Sequence, residues 1–363
     1  MKYQKILIVN PFGIGDVLFS TPLISLLKEE IPDSSVSYWC NERTRPILAN
    51  NQHIDKIFPL ARGDLKKIFA VSRIKGIKAL FSLTRQLKAE KFDLAFDLSL
   101  DHRYSLLLKM LGIKRRIGFD YKGRGKFLTD KIKIEGYAGK HMADHYLSLI
   151  KFLNIEPKTT GLGLYPIDEQ VAKAKTNLSS LGISEKDLLI GIAAGAGASW
   201  GKDAQLKRWP AVKFAQLADK IMDNLEAKVL LLGNEEEEDI ADTMLRNMRN
   251  KPLDLTGKTT LEELIALMSL LNIVIANDGG MLHMAVAVGT KTVSIFGPVD
   301  EAVYGPYPPS PDHIVIKNSG ASCRPCYRNF RMPPCEKNRD CLANLTVEDV
   351  YSGVKKLHAG TIK

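Results

Sequence analysis

Short apolar runs alternate with amphipathic stretches along the first half of the chain. The segments 5–10 (KILIVN), 34–40 (SSVSYWC) and 91–99 (KFDLAFDLS) are rich in apolar and aromatic residues, which predicts buried strands. Segment 15–32 carries apolar residues at positions i, i+3, i+4 and i+7, which predicts a helix. Strands that alternate with helices predict a parallel, doubly wound α/β domain, in which ligands bind at the carboxyl ends of the strands.

A second alternation follows the segment 154–166, which is rich in Pro, Gly and Thr and predicts a linker. Further strands are predicted at 188–195, 227–234, 272–278 and 291–298, and further helices at 209–225, 260–271 and 280–289. This pattern indicates a second α/β domain. A chain of 363 residues is also too long for one ordinary core, so its length favours two domains.

Composition narrows the class of protein. With 45% hydrophobic and 25% charged residues the chain is typical of soluble globular proteins, and no apolar run reaches the roughly 18 residues of a membrane-spanning helix. The first residues have a basic start but lack the apolar core and small-residue cleavage site of a signal peptide. We therefore expect a cytoplasmic protein.

The formal net charge of +10 indicates an anionic partner, which could be nucleic acid, an anionic membrane surface or a phosphorylated substrate. Basic residues are concentrated in the segments 62–91 and 109–126. Neither segment has the interleaved aromatic residues of a single-strand reader or the spacing of a zinc finger, so we expect no nucleic-acid partner.

The loop at 10–22 follows the first predicted strand and opens the first helix. Gly13 and Gly15 lack the third glycine of a dinucleotide fingerprint, and no P-loop Lys-Ser/Thr follows them. What remains is a turn that places Asp16 at a helix N-terminus. Asp16 is either a functional carboxylate or only a helix cap.

The loop at 193–210 again lies between a strand and a helix. Its small residues let backbone N–H groups approach an anion, Ser199 can donate a hydrogen bond, and Lys207 or Arg208 can neutralise phosphate. These features predict a diphosphate site. The alternative is a Gly/Ala turn with solvated lysines.

The segment at 277–283 (NDGGMLH) places Asp278 at a strand end and His283 one turn into the next helix, with Gly279 and Gly280 between them. Glycine amides at a helix N-terminus can bind a diphosphate, and Asp278 can accept a hydrogen bond from a sugar hydroxyl. The alternative makes Asp278 a helix cap and His283 a half-buried structural residue.

Four of the five cysteines lie near the C-terminus, and Cys40 stands at a strand end as a small buried hydrophobe. The C-x2-C pair could bind a structural zinc together with the later pair, although the later two are spaced more widely than in common zinc sites. Free thiols or adventitious disulfides are the alternatives. The four residues are Cys323, Cys326, Cys335 and Cys341.

These motifs together resemble glycosyltransferase family 9, the ADP-heptose:lipopolysaccharide heptosyltransferases. The resemblance rests on ILIVNPFGIGDVLFSTP, GASWGKDAQLKRWP, VLLLGNEEEE, NDGGMLHMAVAVGTKTVSIFGP and the cysteine-bearing tail, and it extends from the first strand to about residue 350. It implies a GT-B fold, in which two Rossmann-like, doubly wound domains face each other across a cleft. The implied parts are an acceptor-binding domain over 1–160, a nucleotide-sugar-binding domain over 161–345 and a helix over 346–363 that packs back on the first domain.

The resemblance also implies roles for individual residues. Asp16 matches the proposed general base of an inverting transferase, beside the acceptor-binding Gly13 and Gly15. Lys207 matches the basic residue at the donor diphosphate, although the longer loop makes Lys202 an alternative, and Ser199 lies in the same loop. The other expected donor-binding residues are Asp278, Gly279, Gly280 and His283, with Glu237 at the ribose.

The implied reaction is metal-independent transfer of heptose from ADP-L-glycero-β-D-manno-heptose to a Kdo or heptose residue of the lipopolysaccharide inner core. The acceptor would be Kdo-lipid A or heptosylated core, which the enzyme would meet as a peripheral protein at the anionic inner face of the inner membrane. One alternative is a family 9 paralogue that transfers another sugar to a surface glycan. The other is a nucleotide-sugar-binding module without catalysis.

Overall fold

The computed structural model describes residues 3–360, apart from the side chains of residues 198, 199 and 202. The chain divides between Leu164 and Tyr165 into two compact units. The expected boundary at residue 160 lies a few residues before this division.

The described part of the first unit contains one six-stranded parallel sheet. Its strands are β1 (Lys5–Val9), β2 (Ser35–Cys40), β3 (Lys56–Pro59), β4 (Leu94–Asp97), β5 (Arg115–Tyr121) and β6 (Asp130–Ile134). They lie in the order β3-β2-β1-β4-β5-β6, so the chain reverses direction across the sheet between β1 and β4. This is the order of a Rossmann-like, doubly wound sheet, as the alternating pattern predicted.

The first unit also contains seven helices within its described residues. They are α1 (Ile14–Phe19), α2 (Thr21–Glu30), α3 (Arg45–Leu48), α4 (Arg62–Val71), α5 (Arg73–Glu90), α6 (His102–Met110) and α7 (Met142–Leu147), with 3-10 turns at Glu42–Thr44 and Ser148–Leu153.

The single helix predicted at 15–32 is two helices, α1 and α2. They meet at Ser20, and Pro22 occupies the first turn of α2, where its missing N–H leaves no hydrogen bond unmade. The Ser20 hydroxyl donates to the carbonyl oxygen of Val17 at 2.7 Å, which satisfies one of the carbonyls at the end of α1.

The second unit repeats the architecture of the first within its described residues. Its parallel strands are β7 (Leu189–Ala193), β8 (Lys228–Leu231), β9 (Leu253–Asp254), β10 (Ile273–Asn277), β11 (Lys291–Phe296) and β12 (His313–Lys317). Their order is β12-β11-β10-β7-β8-β9, which places the reversal between β7 and β10. The predicted second α/β domain therefore has the same doubly wound order as the first.

The helices of this unit are α8 (Asp168–Ser180), α9 (Ala211–Leu225), α10 (Glu238–Asn247), α11 (Leu261–Met268), α12 (Gly280–Ala287), α13 (Glu301–Tyr304), α14 (Asp340–Ala343) and α15 (Val347–Ala359), with 3-10 turns at Ala198–Lys207 and Glu235–Glu237. Among all helices of residues 3–360, none is both long and apolar enough to cross a membrane.

The C-terminal helix α15 packs within the second unit. Its inward residues Val350, Tyr351 and Val354 belong to the core formed with α9 and the central strands, and a Cβ on Gly353 would lie 3.3 Å from Val293 of β11. We expected this helix to pack on the first domain. The helix covers the sheet of its own unit, where its apolar face matches the apolar surface of β11 and β12. The expected contact with the first domain stays a prediction.

A glycine in β5 tests how tightly the first sheet is packed. A Cβ on Gly118 would lie 2.3 Å from the carbonyl oxygen of Asp97 on the neighbouring strand, whereas one on Gly63 of α4 would have no atom within 4 Å. We expect Gly118→Ala to lower the free energy of unfolding by about 1–3 kcal/mol, because the two strands must move apart. Gly63→Ala is the matched control and should leave stability unchanged or raise it by up to about 1 kcal/mol. Equal urea midpoints for the two variants would contradict this packing.

Candidate functional site

The carboxyl ends of the two central strands of the second unit form the first part of the candidate site. Ala193, the last residue of β7, pairs with Ala276 of β10. The strand order reverses between these two strands, and doubly wound sheets bind ligands at such a reversal. The loop 194–197 and the segment 277–283 therefore leave the sheet side by side at the edge where ligands bind.

Asn277, the last residue of β10, holds three chain segments together. It is 1% exposed, and its side-chain amide donates to the carbonyl oxygens of Ala194 (2.7 Å) and Gly195 (3.1 Å). Its Oδ1 accepts a hydrogen bond from the backbone N–H of Trp209 at 3.0 Å. Buried backbone groups need such partners, so Asn277 fixes both loops against β10. Asn277 was not predicted from the sequence as a site residue, although an amide at the end of an apolar strand was the available signal.

Lys207 and Asp278 form a buried ion pair at this edge. The lysine Nζ lies 2.8 Å from Oδ2 of Asp278, and the two residues are 3% and 5% exposed. The same Nζ lies 4.2 Å from the centroid of the Trp200 ring, which adds a cation–π contact. The structure thus brings together the residue expected at the diphosphate and the acid expected at the sugar.

His283 and the glycine pair complete this cluster. Nε2 of His283 lies 3.9 Å from Oδ1 of Asp278, and the imidazole is buried. Gly279 has an extended backbone, and a Cβ there would lie 3.1 Å from the carbonyl oxygen of Ala196. A larger residue would therefore press on the loop after β7. Gly280 begins α12, so the amides of this first turn can serve an anion.

Glu237, the acid expected at the ribose, lies against the same glycine loop. Its Oε1 accepts from the N–H of Gly197 at 3.1 Å, and its Oε2 accepts from the N–H of Asn234 at 3.3 Å. A Cβ on Gly195 would lie 1.8 Å from Oε1, so glycine is required for the carboxylate to approach this closely. The loop already binds a carboxylate through a backbone amide, which is the chemistry of an anion site.

The loop between β7 and α9 forms the 3-10 turn Ala198–Lys207. It is interrupted at Gly201, whose φ of +52° lies in the region that favours glycine. The side chains of Ser199 and Lys202 fall outside the described residues. Ser199 as a donor-binding residue, and Lys202 as the alternative to Lys207, therefore stay predictions.

In the first unit, Asp16 lies after β1 in the first turn of α1. Its Oδ2 accepts a hydrogen bond from the N–H of Gly13 at 3.2 Å, and its carbonyl oxygen accepts from the Asn10 side chain at 3.0 Å. Asp16 therefore does cap the helix, as one of the two interpretations predicted. A carboxylate has further lone pairs, so capping does not exclude a second role. Gly13 precedes α1, and Gly15 is the second residue of that helix.

Asp97 is a second acid at the carboxyl ends of the strands of the first sheet, and it was not predicted from the sequence as a site residue. It ends β4 and pairs with Val9, the last residue of β1. Burial raises the pKa of Asp97 to about 6, although Ser99 donates to it through Oγ (2.5 Å) and N–H (3.0 Å). The signal in the sequence was an acid at the end of the predicted strand 91–99.

The expected zinc site is not supported. All five cysteines are unbridged, and within residues 3–360 no group of three or more His, Cys, Asp or Glu side chains is arranged to bind a metal. Cys326 Sγ lies 3.0 Å from the carbonyl oxygen of Cys323, and Cys335 Sγ accepts from the N–H of Arg339. Burial and the neighbouring thiols raise the pKa of Cys326 to about 11. Cys341 is buried in the core, and so is Cys40, as predicted.

Two Rossmann-like, doubly wound units define a class of architecture, and comparison with known proteins narrows that class to one family. The model of glycosyltransferase family 9 (heptosyltransferase) matches residues 80–332. The chain therefore belongs to this family and is a glycosyltransferase. This result confirms the resemblance noted in the sequence.

Individual relatives match nearly the whole chain. Lipopolysaccharide heptosyltransferase 3 of Escherichia coli (strain K12) is 25% identical over 352 residues, which cover 94% of this chain and 95% of that protein. The crystal structure of a family 9 glycosyl transferase from Veillonella parvula DSM 2008 has a TM-score of 0.83 at 25% identity and covers 99% of this chain and 98% of its own. E. coli ADP-heptose lps heptosyltransferase II has a TM-score of 0.76 at 20% identity, with coverages of 99% and 100%. These likenesses confirm the GT-B fold class.

Asn277 provides a test of the site's construction. Asn277→Ala removes the partner of one buried N–H and two carbonyls, so we expect the free energy of unfolding to fall by about 2–4 kcal/mol. The control is Asn247→Ala, because Asn247 is exposed on α10 and its amide bonds only to a helix carbonyl. The control should change stability by less than about 0.5 kcal/mol. If urea denaturation shows equal losses for the two variants, Asn277 does not hold the edge together.

Proposed function

We propose that the chain transfers heptose from ADP-L-glycero-β-D-manno-heptose to a Kdo or heptose residue of the lipopolysaccharide inner core, with inversion at the anomeric carbon and without a metal ion. The observation that carries this proposal is the grouping of Lys207, Asp278 and His283 at the β7/β10 edge. The names of the family 9 relatives, which include an ADP-heptose lps heptosyltransferase, support the donor and the type of acceptor.

The donor diphosphate would be bound by the second unit. The amides of Gly279, which precedes α12, and of Gly280, which begins it, would donate to the diphosphate where the helix dipole favours negative charge. Lys207 supplies a positive charge that stabilises the leaving ADP, which is the task a metal ion performs in other transferases. Asp278 holds this lysine and accepts from a heptose hydroxyl. The carboxylate of Glu237 accepts from the hydroxyls of the ribose.

Asp16 would act as the general base. The acceptor hydroxyl attacks the anomeric carbon as the bond from that carbon to the diphosphate oxygen breaks, and ADP leaves with the bonding electrons. The hydroxyl proton passes to the Asp16 carboxylate. Gly13 and Gly15 permit close approach of the acceptor to the turn before α1. The hydrogen bond from the Gly13 N–H keeps the carboxylate oriented before the acceptor arrives.

The acceptor is an anionic, lipid-anchored glycan, and the proposed place of reaction is the cytoplasmic face of the inner membrane. The net charge of +10 and the basic segments 62–91 and 109–126 support a peripheral association with that anionic surface.

Two alternative functions would use the same site. A family 9 paralogue would use another nucleotide sugar, and a binding module without catalysis would bind ADP-heptose but transfer nothing.

The test is transfer of heptose from ADP-heptose to purified Kdo-lipid A and to a heptose-extended core, with wild type and Asp16→Asn compared. The asparagine Oδ1 can still accept from the Gly13 N–H, so the helix cap is kept while the base is lost. We expect kcat to fall about a hundredfold or more, with unchanged ADP affinity and stability.

The control is Asp349→Ala, because Asp349 makes the same cap contact with the N–H of Thr346 at the start of α15. This control should lower stability but not kcat. Wild-type turnover by Asp16→Asn would mean that Asp16 is only a cap. Binding of ADP-heptose without any transfer would favour the binding module, and no binding at all would require a panel of other nucleotide sugars.

A further inference from the structure

Large apolar side chains are exposed along the α4–α5 hairpin of the first unit. Val71, at the end of α4, is 81% exposed, and Ile74, Ile77 and Phe81 of α5 are 68%, 62% and 69% exposed. Single exposed apolar residues are common on protein surfaces, but four within eleven residues form a patch, and such patches mark interaction sites.

The three residues of α5 lie on one face of the helix, since they are spaced at i, i+3 and i+7. We call Ile74, Ile77 and Phe81 the α5 row. The opposite face of α5 is already covered, because Leu83 and Leu87 are buried in the core of the first unit. The α5 row therefore points away from that core.

The two helices of the hairpin pack against each other. A Cβ on Gly76 would lie 2.4 Å from the ring of Phe69, so the absence of a side chain at Gly76 lets the two helices pack closely. Ser72 joins them, and its hydroxyl caps α5 by accepting from the N–H of Lys75. The row is thus part of a folded surface.

The charge around the row has one sign. Residues 65–89 contain no Asp or Glu and seven basic residues, namely Lys66, Lys67, Arg73, Lys75, Lys78, Arg85 and Lys88. All seven are exposed. A helix with apolar and basic residues on its outer side is the pattern of a protein that lies on an anionic lipid surface, where apolar groups enter the acyl boundary and cations contact headgroup phosphates.

We propose that the α4–α5 hairpin is the docking surface of this chain for an anionic lipid bilayer, with the α5 row inserted among the lipids. The proposal rests on the proposed function for its purpose, which is to bring the enzyme to a lipid-anchored acceptor. Vesicle binding itself requires no catalysis.

Charge argues against a second copy of this chain as the occupant. A symmetric dimer through this surface would set the same basic residues against themselves, and like charges across an interface oppose association. A bilayer that contains phosphatidylglycerol supplies both the apolar depth and the opposite charge.

The first experiment is sedimentation of the full chain with phosphatidylethanolamine–phosphatidylglycerol vesicles and with pure phosphatidylcholine vesicles. Ile77→Ser with Phe81→Ser should weaken binding to the anionic vesicles by about tenfold or more, because the inserted apolar area is lost. The matched control is Leu181→Ser with Val212→Ser, which replaces two exposed apolar residues of the second unit. The control should bind within about twofold of wild type.

The contribution of the basic residues to vesicle binding is tested separately. Lys75→Gln with Lys78→Gln should weaken binding to the anionic vesicles by about tenfold or more and leave the weaker binding to phosphatidylcholine unchanged. The control is Lys186→Gln with Lys251→Gln, which changes the net charge equally at exposed positions of the second unit. Loss of binding in this control to the same extent would mean that net charge, and not the hairpin, determines binding.

The following results overturn the proposal. They are wild-type vesicle binding by the α5-row variant, equal binding to the two kinds of vesicle, and a dimer in sedimentation velocity that this variant converts to a monomer. A wild-type chain that binds anionic vesicles but transfers no heptose would refute the proposed function and leave the docking surface in place. A chain that transfers heptose to solubilised acceptor but binds no vesicles would refute the docking surface and leave the proposed function in place.

Discussion

The edge of the second sheet depends on a pair of charges that are buried together. Lys207 and Asp278 are each almost fully buried, and moving either ion alone into a protein interior costs several kcal/mol. Each charge is tolerated because the other lies 2.8 Å away. Removal of one partner would leave the other buried without compensation, at a cost of about 3–5 kcal/mol. The pair thus joins the loop after β7 to the end of β10, as the hydrogen bonds of Asn277 also do.

In the proposed donor site, this arrangement would hold Lys207 in place before it contacts the diphosphate. A lysine on a loop normally loses much side-chain entropy when it binds phosphate, but Lys207 is already held by Asp278 and by the Trp200 ring. Preorganised charge is more effective than charge that must be ordered during the reaction. Glu237 likewise orders the glycine loop, because its carboxylate accepts a hydrogen bond from the Gly197 N–H.

Much of the fold follows from local patterns in the sequence. Strands β1 and β10 are buried on both faces and are therefore continuous apolar runs, which is why the two doubly wound domains could be predicted. The packing of α15 on the sheet of its own unit could not be predicted, because an amphipathic pattern shows that one face is buried but not which surface covers it. The break at Ser20 was missed because the apolar periodicity continues through it.

The candidate site, like the fold, contains some residues that the sequence predicts and others that it does not. Asp278, Gly279, Gly280 and His283 are close in sequence and could be grouped from spacing alone. Lys207 lies some seventy residues earlier. It lies beside Asp278 because β7 pairs with β10 and because the N–H of Trp209 bonds to Asn277. Asn277 and Asp97 were missed because a polar residue at a strand end has no periodic signature. The four C-terminal cysteines have a suggestive spacing, but spacing does not specify the directions of the thiols.

The most direct test of the central claim is a double-mutant cycle on ADP binding, measured by calorimetry with Lys207→Met, Asp278→Asn and the double variant. If Asp278 acts on the diphosphate through Lys207, Lys207→Met should weaken ADP binding by about tenfold or more. The double variant should then bind ADP within about twofold of Lys207→Met alone. If Lys207→Met bound ADP as tightly as the wild type, that result would contradict the account. The account would also be contradicted if the double variant lost affinity by the product of the two single losses, because the two residues would then act independently.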